Sequence, residues 1–119
     1  MKVKRYEELI AWQKAMLLAK DVYRIQKYLP KEEVYALGDQ IRRATVSIPS
    51  NIAEGFGRES DKDFRYFLSI ARGSLYEVKT QLQLAESLGY LQIDDELNAL
   101  FEEVAKLING LSKSLATSN

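Results

Sequence analysis

Apolar residues recur every three or four positions along four stretches of the chain, which is the spacing of one face of an α-helix. The stretches cover about residues 6–28, 32–56, 61–88 and 94–115, and none alternates apolar and polar positions as a strand does. Short breaks between long helices force neighbours to run antiparallel. The pattern therefore predicts an all-α, antiparallel up-down-up-down four-helix bundle that forms one domain, residues 1–119.

Capping residues support three of the helix boundaries. Ser60, with Asp63 three positions later, is typical of a helix start and predicts the beginning of the third helix. Gly89 suits the residue after a helix end, and Asp94 suits the N-cap of the fourth helix. The first helix carries its predicted apolar stripe at Leu9, Trp12, Met16, Ala19 and Tyr23.

The second helix contains a segment, residues 40–58, that departs from an ordinary helix pattern. Pro49 removes a backbone donor from the Thr45 carbonyl and predicts a bend near the proline, while Gly55 and Gly57 end the helix. A polar stripe runs beside the apolar one, and its small side chains would let another helix approach closely. This combination indicates a subunit interface, with a solvated, kinked face and a ligand site as the alternatives. The interface candidates are Ser47, Pro49, Ser50, Asn51, Glu54 and, from the third helix, Gly73.

A basic line follows one side of the third helix, at Arg65, Ser69, Arg72, Tyr76 and Lys79. Cations with an aromatic side chain among them could contact phosphates and stack a base. The alternative is salt bridging, because acidic residues lie nearby in sequence and cancel most of the charge. Gly73 in the same helix destabilises it by roughly 1 kcal/mol relative to alanine, which indicates a close helix crossing there.

The composition removes several classes of function. The chain has no Cys and no His, so it lacks thiol chemistry, the commonest general base and the commonest nitrogen ligand for metals. We therefore expect no enzyme activity, no cofactor and no metal site. No apolar run reaches the roughly 18 residues of a membrane span, so a cytoplasmic protein without a membrane partner is predicted.

The formal net charge of zero conceals a gradient along the chain. Residues 1–31 hold eight Lys and Arg against three Asp and Glu, whereas residues 81–119 hold two against six. This gradient predicts attraction between the basic first helix and the acidic last helix, within one chain or between neighbouring subunits.

Two stretches, QIRRATVSIPSNIAEGFGR and FRYFLSIARGSLYEVKTQLQLAESLGY, closely resemble the four-helix bundle proteins encoded in 23S ribosomal RNA intervening sequences. The opening YEELIAWQKAMLLAKDVY resembles the first helix of that family. The resemblance implies a homopentameric ring. The family also includes accessory proteins of diversity-generating retroelements, basic pentamers that bind nucleic acid and a reverse transcriptase.

The resemblance implies nucleic-acid contacts at Arg42, Arg43, Arg58, Arg65 and Arg72, and the basic line adds Lys79. This chain departs from the retroelement members because it is neutral, so RNA or DNA binding would rest on a local patch repeated in each subunit. Two hypotheses follow. The first is an oligomeric scaffold that binds nucleic acid through these cations. The second is a protein-interaction scaffold in which the same arginines close intersubunit salt bridges.

Overall fold

The computed structural model describes residues 2–117, and the predicted all-α bundle is confirmed. Its four helices are α1 (Ile10–Gln26), α2 (Leu37–Phe56), α3 (Asp61–Ser87) and α4 (Asp95–Thr117), and the described residues form no strand. All four helices contribute to one apolar core. Its largest fully buried side chains include Leu18, Val22, Ile41, Ile48, Leu68, Leu75, Phe101 and Ile108.

Each helix packs against two others, so that α2 contacts α1 and α3 while α4 contacts α3 and α1. Ion pairs show how α1 and α4 are aligned: Lys14 lies 3.5 Å from Glu103, and Arg24 lies 3.6 Å from Asp94. The two helices α1 and α4 therefore run antiparallel. The predicted attraction between the basic first helix and the acidic last helix is found within one chain.

The first helix begins later than predicted. Tyr6–Glu8 form a single 3₁₀ turn, Leu9 is extended, and α1 starts at Ile10 rather than near residue 6. The extended backbone at Leu9 allows its side chain, only 5% exposed, to enter the core.

The second helix is also shorter than predicted at its start. Lys31–Glu33 form another 3₁₀ turn, and α2 begins after Ala36, whose φ of −115° and ψ of −97° are not helical. The Val34 carbonyl lies outside any α-helix and instead accepts a hydrogen bond from Arg42 Nη2 at 2.8 Å. At the other end, Gly57 follows the last residue of α2, as predicted.

The predicted capping residues are confirmed. The Ser60 hydroxyl accepts the Asp63 backbone N–H at 3.0 Å, and Asp94 Oδ1 accepts the Leu97 N–H at 2.8 Å. Gly89 has a φ of +79°, a left-handed conformation that favours glycine after a helix end.

The close crossing predicted at Gly73 is not found within the chain, because Gly73 is exposed and a Cβ added there would meet no atom within 4 Å. The close approach occurs at Gly55 instead. A Cβ on Gly55 would lie 2.7 Å from the Cβ of Phe67 and 2.9 Å from Cδ1 of Phe64 on α3. Gly55 thus lies inside α2 and serves α2–α3 packing, so of the two glycines predicted to end the helix only Gly57 does so.

The core side of α1 is formed by Ala11, Ala15, Leu18, Val22 and Ile25. The stripe predicted from sequence lies mostly beside it: Trp12, Met16 and Ala19 are half-buried, and Tyr23 is 37% exposed. The first helix therefore has two apolar sides. Pro49 is buried within α2, and the bend near it stays a prediction. No helix in the described range has the length and hydropathy that a membrane span requires.

Candidate interaction surfaces

An apolar cleft of about 350 Å³ separates α1 from α2. We call it the α1–α2 groove. Tyr6 closes one end, where its ring packs edge-on against Trp12 with ring centroids 5.3 Å apart. Pro49 is buried in the groove, whereas Val46 is 47% exposed. The groove is lined by Trp12, Met16 and Ala19 from α1 and by Val46, Pro49 and Ala53 from α2.

The groove continues toward the C-terminal end of α1 and becomes basic there. Met16 and Ala19 also line the next cleft, together with Lys20, Tyr23 and Lys27. A third depression joins Tyr23 to Val46 and Arg43 on α2. Because these clefts share lining residues, they form one surface with an apolar floor and cations at its rim.

Four of the predicted interface residues pack within the chain or line this groove. The Ser47 and Ser74 hydroxyls share a hydrogen bond of 2.8 Å between α2 and α3. Asn51 Nδ2 donates to the Ser47 carbonyl at 2.7 Å and to its hydroxyl at 2.8 Å. Small polar side chains therefore hold α2 against α3. Pro49 and Ser50 line the α1–α2 groove, where Pro49 is buried and Ser50 is exposed. Glu54 and Gly73 are exposed as well.

Arg42 is fully engaged inside the chain. Its Nη1 donates to Gln26 Oε1 at 2.8 Å, and its Nη2 donates to Asp39 Oδ1 at 2.6 Å and to the Val34 carbonyl at 2.8 Å. These bonds tie the end of α1 and the α1–α2 connection to the first turns of α2. Its neighbour Arg43 is exposed and forms no ion pair within residues 2–117.

Arg58 also has partners within the chain. Its Nη2 lies 3.2 Å from Glu54 Oε1, and its guanidinium lies over the Phe67 ring, 4.7 Å from the ring centroid. These contacts orient the guanidinium along the α2–α3 edge. This ion pair lies within one chain, so whether Arg58 bridges subunits or contacts nucleic acid stays a prediction.

The basic line on α3 lies beside α4. Arg72 Nη1 donates to Asn109 Oδ1 on α4 at 2.9 Å. Arg65 and Lys79 stand seven positions on either side of Arg72, so all three side chains share one side of α3, about 10 Å apart along the helix. Within the described residues none of the three forms an ion pair, and Tyr76 nearby is 50% exposed. The predicted neutralisation by nearby acids is not found here, and the six predicted cations do not form one patch.

A polar cleft of about 530 Å³ lies at the turn between α3 and α4. Arg24 in its wall has a raised pKa, because it donates to Asp21 and lies close to that carboxylate's charge. Partial burial, followed by the hydrogen bond to Glu33, raises the pKa of the Tyr90 phenol. Arg24 and Tyr90 thus each have a carboxylate partner, Asp21 and Glu33 respectively. No three acidic side chains within residues 2–117 are arranged to hold a metal ion.

The sequence locates the basic line on the third helix but not the groove. The two apolar sides of α1 compete for the core, and the sequence does not show which one packs inward against α2 and α4. A signal was nevertheless present, since Trp12, Met16 and Tyr23 are too large and numerous for an ordinary solvated face.

The model of one protein family, described as 23S rRNA-intervening sequence protein, matches residues 7–111. The chain is also similar to a crystal structure of a protein with unknown function from the S23 ribosomal protein family of Bacteroides thetaiotaomicron. The two are 25% identical with a TM-score of 0.63, over 91% of this chain and 96% of the other. No curated protein is significantly similar to the chain. Because the family model spans most of its length, this chain belongs to the 23S rRNA-intervening sequence protein family.

Proposed function

We propose that this protein is a non-enzymatic, homo-oligomeric helical scaffold. The α1–α2 groove carries this proposal, because it is a concave apolar surface that no other part of the described chain covers. Trp and Met, both present in the groove, are enriched at the centres of protein interfaces. The resemblance of the sequence to its family favours a pentameric ring as the assembly.

The energetics of the groove support association. Each Å² of apolar surface removed from water stabilises a complex by roughly 25 cal/mol before the entropic costs of association. Val46 is 47% exposed although it lies between Trp12 and Tyr23, two aromatic residues that line the same surface. A partner helix laid in the groove would bury all three side chains together.

The mass of the assembly tests this proposal. Multi-angle light scattering coupled to size exclusion should give a multiple of the 13.6 kDa protomer, with a pentamer expected. Sedimentation velocity at several concentrations would check that the species is discrete. A monomer at tens of micromolar protein would overturn the proposal.

A second candidate function is nucleic-acid binding through Arg65, Arg72 and Lys79. These cations carry no carboxylate partner within residues 2–117, so their charge is available to phosphates. A ring would repeat the row in each subunit, which multiplies a weak contact. The family is named for 23S rRNA, so structured RNA is the first probe, with duplex DNA as the comparison.

Filter binding across a salt series tests this second function. Removing one cation that binds a phosphate should lower the slope of log affinity against log salt by roughly 0.7 to 0.9. The triple variant Arg65→Ala, Arg72→Ala, Lys79→Ala should therefore bind weakly and with a shallower slope. The matched triple Lys2→Ala, Lys4→Ala, Lys31→Ala removes equal charge at exposed positions elsewhere and should bind as the wild type does. Equal losses of affinity in the two triple variants would contradict this function, and so would a wild type that binds no nucleic acid at low salt.

The alternative is a protein-interaction scaffold in which the arginines bridge subunits and the partner is another protein, such as a reverse transcriptase. Arg58 already pairs with Glu54 in its own chain, which shows that such arginines can serve structure. Arg72→Glu separates the two functions. An intact oligomer that no longer binds RNA favours nucleic-acid binding, and loss of the oligomer favours the structural role.

A further inference from the structure

Three cations at the rim of the α1–α2 groove form no ion pair within residues 2–117. Lys20 and Lys27 line the groove, and Arg43 lies where it meets α2. Arg24 lines the same cleft as the two lysines but pairs with Asp21 and Asp94, and Asp39 beside Arg43 pairs with Arg42. An occupant of the groove should therefore be both apolar and acidic.

The chain itself carries a surface of that kind. Residues 80–105 contain six Asp and Glu and no Lys or Arg. Asp94 and Glu103 pair within the chain, and the other four acids are exposed and form no ion pair within residues 2–117: Glu86, Asp95, Glu96 and Glu102. The large apolar side chains that this segment exposes are Leu84, which is 50% exposed, and Leu88, which is 53% exposed. Leu84 and Leu88 are four positions apart and thus lie on one side at the end of α3. We call this surface the α3 ridge.

The basic end of the groove, around Lys20 and Lys27, and the α3 ridge lie at the same height in the bundle. Arg24 pairs with Asp94, and Glu86 Oε2 accepts the Ile93 N–H at 2.8 Å. The C-terminal turns of α1, the end of α3 and the start of α4 are therefore level with one another. A neighbouring copy that is rotated about an axis parallel to the helices would bring its ridge level with this groove.

We infer that the α3 ridge of one copy occupies the α1–α2 groove of the next, an inference that rests on the proposed homo-oligomer. Leu84 and Leu88 pack on the apolar floor, and the acidic segment that carries them faces Lys20 and Lys27. Groove and ridge are different surfaces, so the contact is heterologous and repeats from copy to copy. Because the two surfaces are level, such contacts close into a ring instead of climbing into a filament.

The test uses two variants that each destroy one surface. Val46→Glu places a charge in the groove, and Leu84→Glu places one on the ridge; both sites are about half exposed, so the fold should tolerate them. Each variant alone should elute as a monomer. An equimolar mixture should form a heterodimer of twice 13.6 kDa, because one intact groove and one intact ridge remain. Ile10→Glu, 58% exposed and in a different cleft beside Lys106, is the matched control and should keep the wild-type mass.

The outcomes separate this inference from the proposed function. If both single variants keep the wild-type mass, the scaffold stands and the groove–ridge contact is wrong. Monomers that fail to combine on mixing overturn the heterologous contact, as does dissociation of the Ile10 control. A monomeric wild type would overturn both proposals. Circular dichroism of the helices checks that each variant is folded. If Val46→Glu unfolds, the double variant Lys20→Glu, Lys27→Glu takes its place, because both positions are exposed, and it should weaken the assembly.

Discussion

Gly55 and Phe67 mark a close approach of α2 and α3. A Cβ on Gly55 would stand 2.7 Å from the Cβ of Phe67, a separation that packed side chains do not tolerate. The same Cβ would also contact both the ring and the backbone of Phe64, whose carbonyl oxygen would lie 3.2 Å from it. If this glycine is replaced by a larger residue, small side-chain shifts cannot make room for the added Cβ. The two helices must then move apart, and the fold loses stability.

We expect Gly55→Ala to destabilise the fold by about 1–3 kcal/mol, because the added methyl overpacks the crossing. Gly73→Ala is the matched control within the neighbouring helix. Its Cβ enters open space, so the better helix propensity of alanine should stabilise the protein by roughly 0.5–1 kcal/mol. Urea unfolding of both variants measures the two effects. Equal shifts in the same direction would contradict the close crossing at Gly55.

Arg42 and Arg43 are adjacent in sequence but opposite in role. Arg42→Ala removes donors to Gln26, Asp39 and the Val34 carbonyl, which should reduce the free energy of unfolding by about 1–3 kcal/mol. Arg43→Ala removes an exposed cation and should change stability by less than about 0.5 kcal/mol. Thermal unfolding of the pair tests this. If Arg43→Ala destabilises the protein more than Arg42→Ala does, the hydrogen bonds of Arg42 do not stabilise the fold as expected.

The phenol of Tyr90 should titrate above its ordinary pKa of about 10, because partial burial and the bond to Glu33 disfavour the phenolate. The neutral phenol thus stabilises the fold at lower pH, and this contribution is lost as pH rises through the raised pKa. Absorbance at 295 nm, with Tyr90→Phe subtracted from the wild type, isolates this curve among the seven tyrosines. Glu33→Gln should bring the midpoint down, and an unchanged midpoint would exclude the carboxylate as a cause.

Pro49→Ala should preserve the fold and alter assembly. The substitution restores a backbone donor and removes ring atoms from the floor of the α1–α2 groove, where the proline is buried. Circular dichroism should show unchanged helix content, while the dissociation constant of the oligomer should shift. If Pro49→Ala assembles as the wild type does, the proline does not contribute to the subunit contact.

Local chemistry made much of this fold predictable. Ser60, Gly89 and Asp94 act within a few residues of themselves, so their capping roles follow from sequence. Arg42 could not be placed in the same way, because two of its acceptors lie on Gln26 and Val34 and depend on how the α1–α2 connection folds. The first helix was ambiguous for a related reason. Two apolar sides of α1 compete for one core, and only packing against α2 and α4 decides between them.

Trp12 is the one tryptophan of the chain, and it lies half-buried in the α1–α2 groove beside Tyr6. Indole emission depends on the water around the ring. The protein thus carries its own optical reporter at the surface proposed to hold a partner. Emission should shift to longer wavelength on dilution if a neighbouring copy shields the groove, so association can be followed at nanomolar protein without any label.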